Sequence, residues 1–83
     1  MNVRMKYFAS IREKLGQGDE TLQTCSQTLG ALRDELIARG EPYAGALARG
    51  KAVRMALDQD MVDESAPLRE GCEVAFFPPV TGG

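Results

Sequence analysis

The sequence predicts an α+β roll, in which a mixed β-sheet packs on one main helix. Three observations predict this class: apolar and polar residues alternate near both ends of the chain, one amphipathic helical segment lies between those regions, and turn-forming residues separate the segments. The expected order is strand, strand, helix, strand, strand, strand. Because the helix provides a crossover, the first and last strands can pair in parallel.

The first expected element is a strand with one buried face. Its side chains alternate, inward for Val3, Met5, Tyr7 and Ala9 and outward for Arg4, Lys6 and Phe8. A helical turn follows, in which Ser10 and Glu13 have capping-box spacing and Gly16 provides a stop. Residues 20–24, ETLQT, then predict a short second strand that can pair with the first.

The main helix is expected between Thr28 and Gly40. Thr28 can cap its start, and Gly40 lies just past its end. Charged residues, Arg33 among them, are expected mostly on the face opposite the core. The core-facing leucines recur at i, i+3 and i+7: Leu29, Leu32 and Leu36.

The middle of the chain predicts a loop followed by two strands. Residues 41–50, EPYAGALARG, indicate a loop with at most one helical turn. Residues 52–59 then alternate and predict a third strand. Polar residues 58–60 supply a turn, after which Met61 and Val62 form a short edge strand. The inward positions of the third strand are Val53, Met55 and Leu57.

The last expected strand is CEVAFFP, residues 72–78. Pro78 and Pro79 end its pairing, because neither residue has an N–H to donate to a neighbouring strand. Met61 and Leu68 are interpreted as core residues. The side chains of this strand alternate, with Val74 and Phe76 on one face and Ala75 and Phe77 on the other.

Composition excludes several classes of function. The chain has 83 residues, enough for one small domain. Its net charge is −2 and its basic residues are scattered, which argues against a nucleic-acid partner. It has no histidine, the most common general base, and no phosphate-binding glycine motif. Autonomous catalysis is therefore not expected.

The cysteines and the N-terminus indicate the compartment. Cys25 and Cys72 are interpreted as unpaired thiols, since they lack the clustered ligand spacing of a zinc site, and no metal is expected. The start MNVRMKYFAS has no apolar signal region, and no segment is long and apolar enough to span a membrane. We expect a cytoplasmic protein without a membrane partner.

The end of the sequence, FFPPVTGG, suggests a tail with a reactive carboxylate. We expect a domain over residues 1–77 and an extended tail over 78–83, in which two prolines favour a stiff exit and six residues reach about 20 Å. Gly82 and Gly83 lack a Cβ, so the tip fits a narrow channel. Activated as an acyl-adenylate, the terminal carboxylate would accept sulfide and become a thiocarboxylate; an unconstrained end is the alternative. The tail-insertion residues are Pro78, Pro79, Val80, Thr81 and Gly82, and the reacting residue is Gly83.

Three segments carry a resemblance to a known family: YFASIREKLG, TLGALRDELIARG and, most specifically, PLREGCEVAFFPPVTGG. Over nearly its whole length the sequence resembles the small, sulfur-carrier subunits of molybdopterin synthase, in the ubiquitin-like β-grasp superfamily. The resemblance implies a β-grasp roll of about five strands on one main helix, with a flexible C-terminal tail. The family usually has asparagine where Asp58 stands.

The resemblance also implies a function. A ubiquitin-activating-like, ATP-dependent adenylyltransferase would adenylate Gly83, and a sulfur-transfer protein would supply the sulfur. The tail would then insert into the large catalytic subunit of the synthase and donate sulfur to cyclic pyranopterin monophosphate, forming the molybdopterin dithiolene. The chain itself would bind no cofactor and would not be catalytic. The family assembles as two small and two large subunits.

The sequence leaves two questions open. Phe8 and Phe77 are candidate partner-interface residues, because they would form an exposed apolar patch if their strands are neighbours; otherwise loops cover them.

The alternatives for function are a sulfur carrier of thiamine biosynthesis, a ubiquitin-like protein modifier, and a plain interaction domain. Three cations are interpreted as solvated charges: Arg12, Lys14 and Arg69.

Overall fold

A computed structural model describes residues 1–79 of the chain. It contains a five-stranded mixed sheet in the order β2-β1-β5-β3-β4, packed on helix α2, as the sequence predicts. Within the described residues, each helix is too short or too polar to cross a membrane. The elements are β1 Asn2–Tyr7, α1 Ala9–Leu15, β2 Asp19–Gln23, α2 Leu29–Ile37, α3 Tyr43–Ala46, β3 Arg54–Leu57, β4 Asp60–Val62 and β5 Glu73–Phe77.

The centre of the sheet is the parallel pair β1 and β5. Met5 lies opposite Val74 and Tyr7 opposite Phe76 in this register. The other three strand pairs are antiparallel: β1 with β2, β3 with β5, and β3 with β4. The expected parallel pairing of the first and last strands is confirmed, and β5 lies between two strands along its length.

The core lies between this sheet and α2. Thr28 caps the helix, since its hydroxyl accepts a hydrogen bond from the Ala31 N–H at 3.2 Å. Full burial of one leucine contributes about 1.5–3 kcal/mol, so the leucine face of α2 is a large part of the driving force. The residues exposed by 1% or less include the predicted inward positions: Val3, Met5, Tyr7, Leu29, Leu32, Leu36, Val74 and Phe76.

Two predictions at the β1–α1 junction are wrong. Ala9 is not an inward strand residue; it is exposed, has φ +49°, and begins α1. Ser10 does not cap that helix. The N-cap is Phe8, the residue before Ala9, and no side chain makes a capping hydrogen bond there. The cause is that pairing with β5 ends here, and the Phe8 carbonyl accepts the first helical N–H groups. Gly16 ends α1 in the left-handed conformation, as predicted.

Arg33 is a second correction, because this residue of α2 is buried rather than on the solvent face. Only 4% of it is exposed, and its guanidinium donates to the carbonyls of Leu47 (2.8 Å), Ala48 (2.8 Å) and Lys51 (3.2 Å). Those carbonyls follow α3 and have no strand partner. The guanidinium is the donor to Leu47, and it adds a second donor to Ala48 and Lys51, whose carbonyls also accept from the N–H groups of Lys51 and Val53. Glu64 lies 3.4 Å away and balances the charge. Arg33 therefore fixes the loop between α3 and β3.

The β3–β4 hairpin forms where the polar turn predicts it. Asp58 and Gln59 both have positive φ, +49° and +73°, and the Asp58 carboxylate accepts from the Glu73 N–H at 2.9 Å. The prediction that Met61 is a core residue is wrong: its register partner is Ala56, on the face away from α2, and 54% of it is exposed. Leu68 is buried, as predicted.

Tyr7 has an unusual hydroxyl. The side chain is 1% exposed, and the hydroxyl has no hydrogen-bond partner among residues 1–79. Burial, and then the negative charge of Glu20, raise the pKa of Tyr7 above its ordinary value. Nearby, Tyr43 is satisfied: its hydroxyl accepts from the Gln17 amide at 2.7 Å and donates to Glu20 at 3.0 Å.

We expect Arg33→Met to lower the free energy of unfolding by about 2 kcal/mol, since it leaves the buried carbonyl of Leu47 without its guanidinium donor. Urea denaturation measures this change. The control is Arg12→Met on exposed α1, which is expected to change stability by less than about 0.5 kcal/mol. Equal effects of the two substitutions would contradict the structural role assigned to Arg33.

We expect Tyr7→Phe to leave stability at pH 7 unchanged or raise it by about 1 kcal/mol, because the lost hydroxyl has no partner. Tyr43→Phe, which removes two hydrogen bonds, should lower it by a similar amount. Because the folded protein keeps the Tyr7 proton to higher pH than the unfolded chain, this residue lowers stability only above about pH 10. Thermal unfolding from pH 7 to 11 should show a smaller alkaline loss for Tyr7→Phe than for the unsubstituted chain.

Candidate functional site

The candidate site is the end of the sheet at which β5 stops. Phe77, the last residue of β5, lies opposite Arg54 at the start of β3. Pro78 and Pro79 follow outside the strand, where a missing N–H breaks no ladder hydrogen bond. The predictions for Val80, Thr81, Gly82 and Gly83 lie outside the described residues, as does most of the predicted tail over 78–83.

The structure brings Phe8 and Phe77 together. Their rings stack with centroids 4.7 Å apart and planes 7° from parallel, and Phe8 is 40% exposed. One residue earlier on each strand, Tyr7 and Phe76 stack at 6.3 Å inside the core. Because side chains alternate across a sheet, the same two strands supply one buried and one outer aromatic pair.

Met61 completes an apolar surface around the outer pair. We call Phe8, Met61, Phe77 and Pro78 the aromatic patch, since the four line one shallow depression together with Ala9 and Arg54. Sequence reasoning missed Met61 because its apolar character favoured the core. The register with Ala56 turns it outward, a pairing that no local pattern of the sequence indicates.

Small residues continue the aromatic patch along the outer face of the sheet. Ala56 and Ala75 are 3% and 5% exposed although they lie on the face away from α2. They line a second depression, bordered by Lys6, Gln59 and Glu73, that shares Phe8, Met61 and Phe77 with the patch. The sequence held a signal for this surface, since Ala75 occupies a predicted outward position. An apolar depression of this kind suits a partner's apolar side chains.

The other side of Pro78 is a more polar depression. Pro78 and Pro79 line it together with Ile11 from α1, and its rim carries two exposed lysines, Lys14 and Lys51. The start of the tail therefore runs between an apolar surface and a cationic one. Ser10, Ala46 and Val53 complete the lining.

The described residues contain no cluster of three or more histidine, cysteine, aspartate or glutamate side chains that could hold a metal ion. Cys25 is exposed and Cys72 is buried, and both thiols are free, as the sequence predicts. What residues 1–79 do supply is two surfaces, one apolar and one more polar, that meet at Pro78.

Comparisons with known proteins identify relatives of this chain. The model of the ThiS family matches residues 5–83. The molybdopterin synthase sulfur carrier subunit of Escherichia coli K12 is 40% identical over 81 residues, which are 98% of this chain and 99% of that protein.

Solved structures share the fold. SAMP1 from Haloferax volcanii superposes with a TM-score of 0.78 over the whole of both chains, at 22% identity. A subunit in the protein–protein complex of subunits 1 and 2 of molybdopterin-converting factor from Helicobacter pylori superposes with a TM-score of 0.69, again over both whole chains, at 24% identity. The fold is therefore the ubiquitin-like β-grasp, as the resemblance implied.

Proposed function

The chain belongs to the ThiS family, and on that premise we propose that it is the sulfur-carrier subunit of a molybdopterin synthase. The observation that carries the proposal is the 40% identity, over nearly the full length of both chains, to a molybdopterin synthase sulfur carrier subunit. The fold supports it, because β5 ends at Phe77, and Pro78 and Pro79 lie outside the strand at one end of the sheet.

The proposed chemistry takes place at Gly83. Its carboxylate attacks the α-phosphate of ATP on an adenylyltransferase, pyrophosphate leaves, and the carboxyl carbon becomes electrophilic. A sulfur-transfer protein then delivers sulfur at the oxidation level of hydrosulfide, AMP leaves, and a thiocarboxylate forms. Thiocarboxylate sulfur is a good nucleophile, whereas a free carboxylate is not. ATP is used by the activating partner, and this chain binds no cofactor in the proposal.

The sulfur acceptor is cyclic pyranopterin monophosphate, bound to the large subunit of the synthase. The tail-insertion residues, Pro78 to Gly82, bring the thiocarboxylate to it, and the dithiolene of molybdopterin requires two such deliveries. This chain contributes the sulfur and its positioning, and the large subunit contributes catalysis. The free thiols Cys25 and Cys72 suit the reducing cytoplasm, which we propose as the compartment.

We assign the aromatic patch, with Phe8 and Phe77, to the interface with the large subunit. The two rings stack on each other within the folded chain, which restricts their rotamers and lowers the side-chain entropy that docking loses. Aromatic side chains near the centre of an interface commonly dominate its energy. The complex of subunits 1 and 2 of the Helicobacter pylori factor, whose fold matches this chain, supports an assembly of this type.

A ubiquitin-like modifier is the second candidate function. The observation that favours it is the fold shared with SAMP1, a small archaeal modifier protein. In that case the activated Gly83 would form an isopeptide bond with a lysine of a target protein. The family match leaves a thiamine-pathway sulfur carrier as a further outcome, with a thiazole as the sulfur acceptor.

We expect incubation with ATP, an activating enzyme and a sulfur donor to replace one oxygen of Gly83 by sulfur, which intact mass spectrometry detects. Adding the large subunit and cyclic pyranopterin monophosphate should then give molybdopterin. Deletion of Gly83 should abolish both products and change the free energy of unfolding by less than about 0.5 kcal/mol. Protein adducts would indicate a modifier, a thiazole product would indicate thiamine synthesis, and an unchanged mass would contradict all carrier functions.

We expect Phe8→Ser to weaken binding to the large subunit by about tenfold or more, because it removes one ring of the stacked pair. Serine is a favourable N-cap, so α1 should remain folded despite the substitution. The matched control is Phe8→Tyr, which keeps the ring and should bind nearly as the unsubstituted chain does. Calorimetric titration measures both. Equal affinities of the serine and tyrosine variants would exclude the aromatic patch from the interface.

A further inference from the structure

Three cations surround the point at which the tail leaves the sheet. Lys14 of α1 and Lys51 of the α3–β3 loop line the depression that contains Pro78 and Pro79. Arg54 of β3 lines the adjoining depression, which shares Pro78. We call Lys14, Lys51 and Arg54 the cationic rim. It brings together positive charge from three separate elements of a chain whose net charge is −2.

The cationic rim differs from most of the other basic residues in lacking carboxylate partners. Within residues 1–79, no ion pair involves Lys14, Lys51 or Arg54, and all three are exposed. Two acidic groups lie in the same region: Glu41, whose carboxylate and the Lys14 ammonium both lie close to Gly45, and Asp63, which shares a depression with Arg54. By contrast, five arginines are paired with carboxylates: Arg4, Arg33, Arg39, Arg49 and Arg69.

The backbone of Lys51 is held in place by Arg33. Its carbonyl accepts a hydrogen bond from the buried Arg33, which also binds the carbonyls of Leu47 and Ala48. The backbone that carries Lys51 is therefore fixed relative to α2, and α1 carries Lys14 on its last turn. The backbone that carries Lys14 and Lys51 is therefore already in place before a partner docks, which lowers the entropy cost of binding.

The short separation of Gly83 from Pro79 brings a protein that encloses Gly83 close to the cationic rim. Gly83 is four residues after Pro79, and an extended chain spans at most about 3.3–3.6 Å per residue, so the two residues are at most about 14 Å apart. A protein that encloses Gly83 in a channel therefore comes close to Pro78 and Pro79. It then lies against Lys14, Lys51 and Arg54, and removing these cations from water is costly unless carboxylates face them.

We propose that the cationic rim docks on an acidic protein surface, formed by aspartate and glutamate side chains around the opening of the channel that accepts the tail. This inference rests on the proposed function, since it takes Gly83 as the group that the partner encloses. The rim is continuous with the aromatic patch through Arg54 and Pro78. The patch supplies apolar contact, and the rim steers the approach and fixes the orientation of the tail.

The experiment compares two double variants with the same net charge. Lys14→Glu/Lys51→Glu reverses the rim, and Arg4→Glu/Arg69→Glu reverses two exposed cations at the opposite end of the sheet. The association rate constant with the large subunit of molybdopterin synthase is measured by stopped flow at low and high salt. We expect the rim variant to associate about tenfold more slowly at roughly 50 mM salt and the control variant to be little changed.

Each outcome decides between alternatives. The difference between the two variants should shrink at roughly 0.5 M salt, where charges are screened. Equal rates of the two variants overturn the proposal, because net charge alone then sets the rate. The proposal is also overturned if the rim variant associates with the large subunit at the normal rate but no longer binds inorganic phosphate, because that result would indicate an anion site instead. Thermal unfolding of both variants checks that they are folded, and Lys14→Gln/Lys51→Gln, expected to give an intermediate rate, replaces an unfolded rim variant.

The same experiment separates this inference from the proposed function. If the unsubstituted chain does not bind the large subunit, the proposed function fails and the cationic rim fails with it. If the unsubstituted chain binds but reversing the rim has no effect, the sulfur-carrier assignment stands and only the acidic docking surface is rejected.

Discussion

The parallel pairing of β1 with β5 is the constraint on which the rest of the structure depends. It places the last strand in the middle of the sheet, bonded to β1 on one side and β3 on the other. The strand from which the chain leaves the sheet is therefore held by backbone pairing on both sides. The same register sets Tyr7 against Phe76 inside the core, and the next residue along each chain segment, Phe8 and Phe77, forms the stacked pair of the aromatic patch outside.

Local patterns in the sequence were sufficient for most of the fold. Alternation identified the inward residues of β1 and β5, and the leucine spacing with Thr28 identified α2. The burial of Arg33 could not be predicted in this way. It depends on carbonyls of a loop about 15 residues away in the chain, which only the tertiary structure brings next to the guanidinium. The prediction that Met61 lies in the core was wrong for a related reason. The hydrophobicity of a residue does not specify on which face of the sheet a short edge strand presents it.

The candidate site was predictable in part. The aromatic residues were identified from their outward positions, and the structure places the two rings in contact. Lys14, by contrast, was interpreted as an ordinary solvated charge. Nothing near it in the sequence indicates that Lys51 and the start of the tail lie beside it, because these segments are 37 and more residues apart in the chain. Charge gathered from separate elements is a property of the fold and has no local signature.

Under the proposed function, in which several proteins enclose Gly83 in turn, the four-residue separation of Gly83 from Pro79 has a kinetic consequence. If every partner that encloses Gly83 must also cover Pro78, two partners cannot be bound at once, and each visit has to end before the next begins. With an association rate constant of about 10⁶ M⁻¹s⁻¹, a dissociation constant of about 1 nM corresponds to a residence time of about a quarter of an hour. Very tight binding would therefore stall the cycle, and selection for throughput favours partners that release this chain quickly.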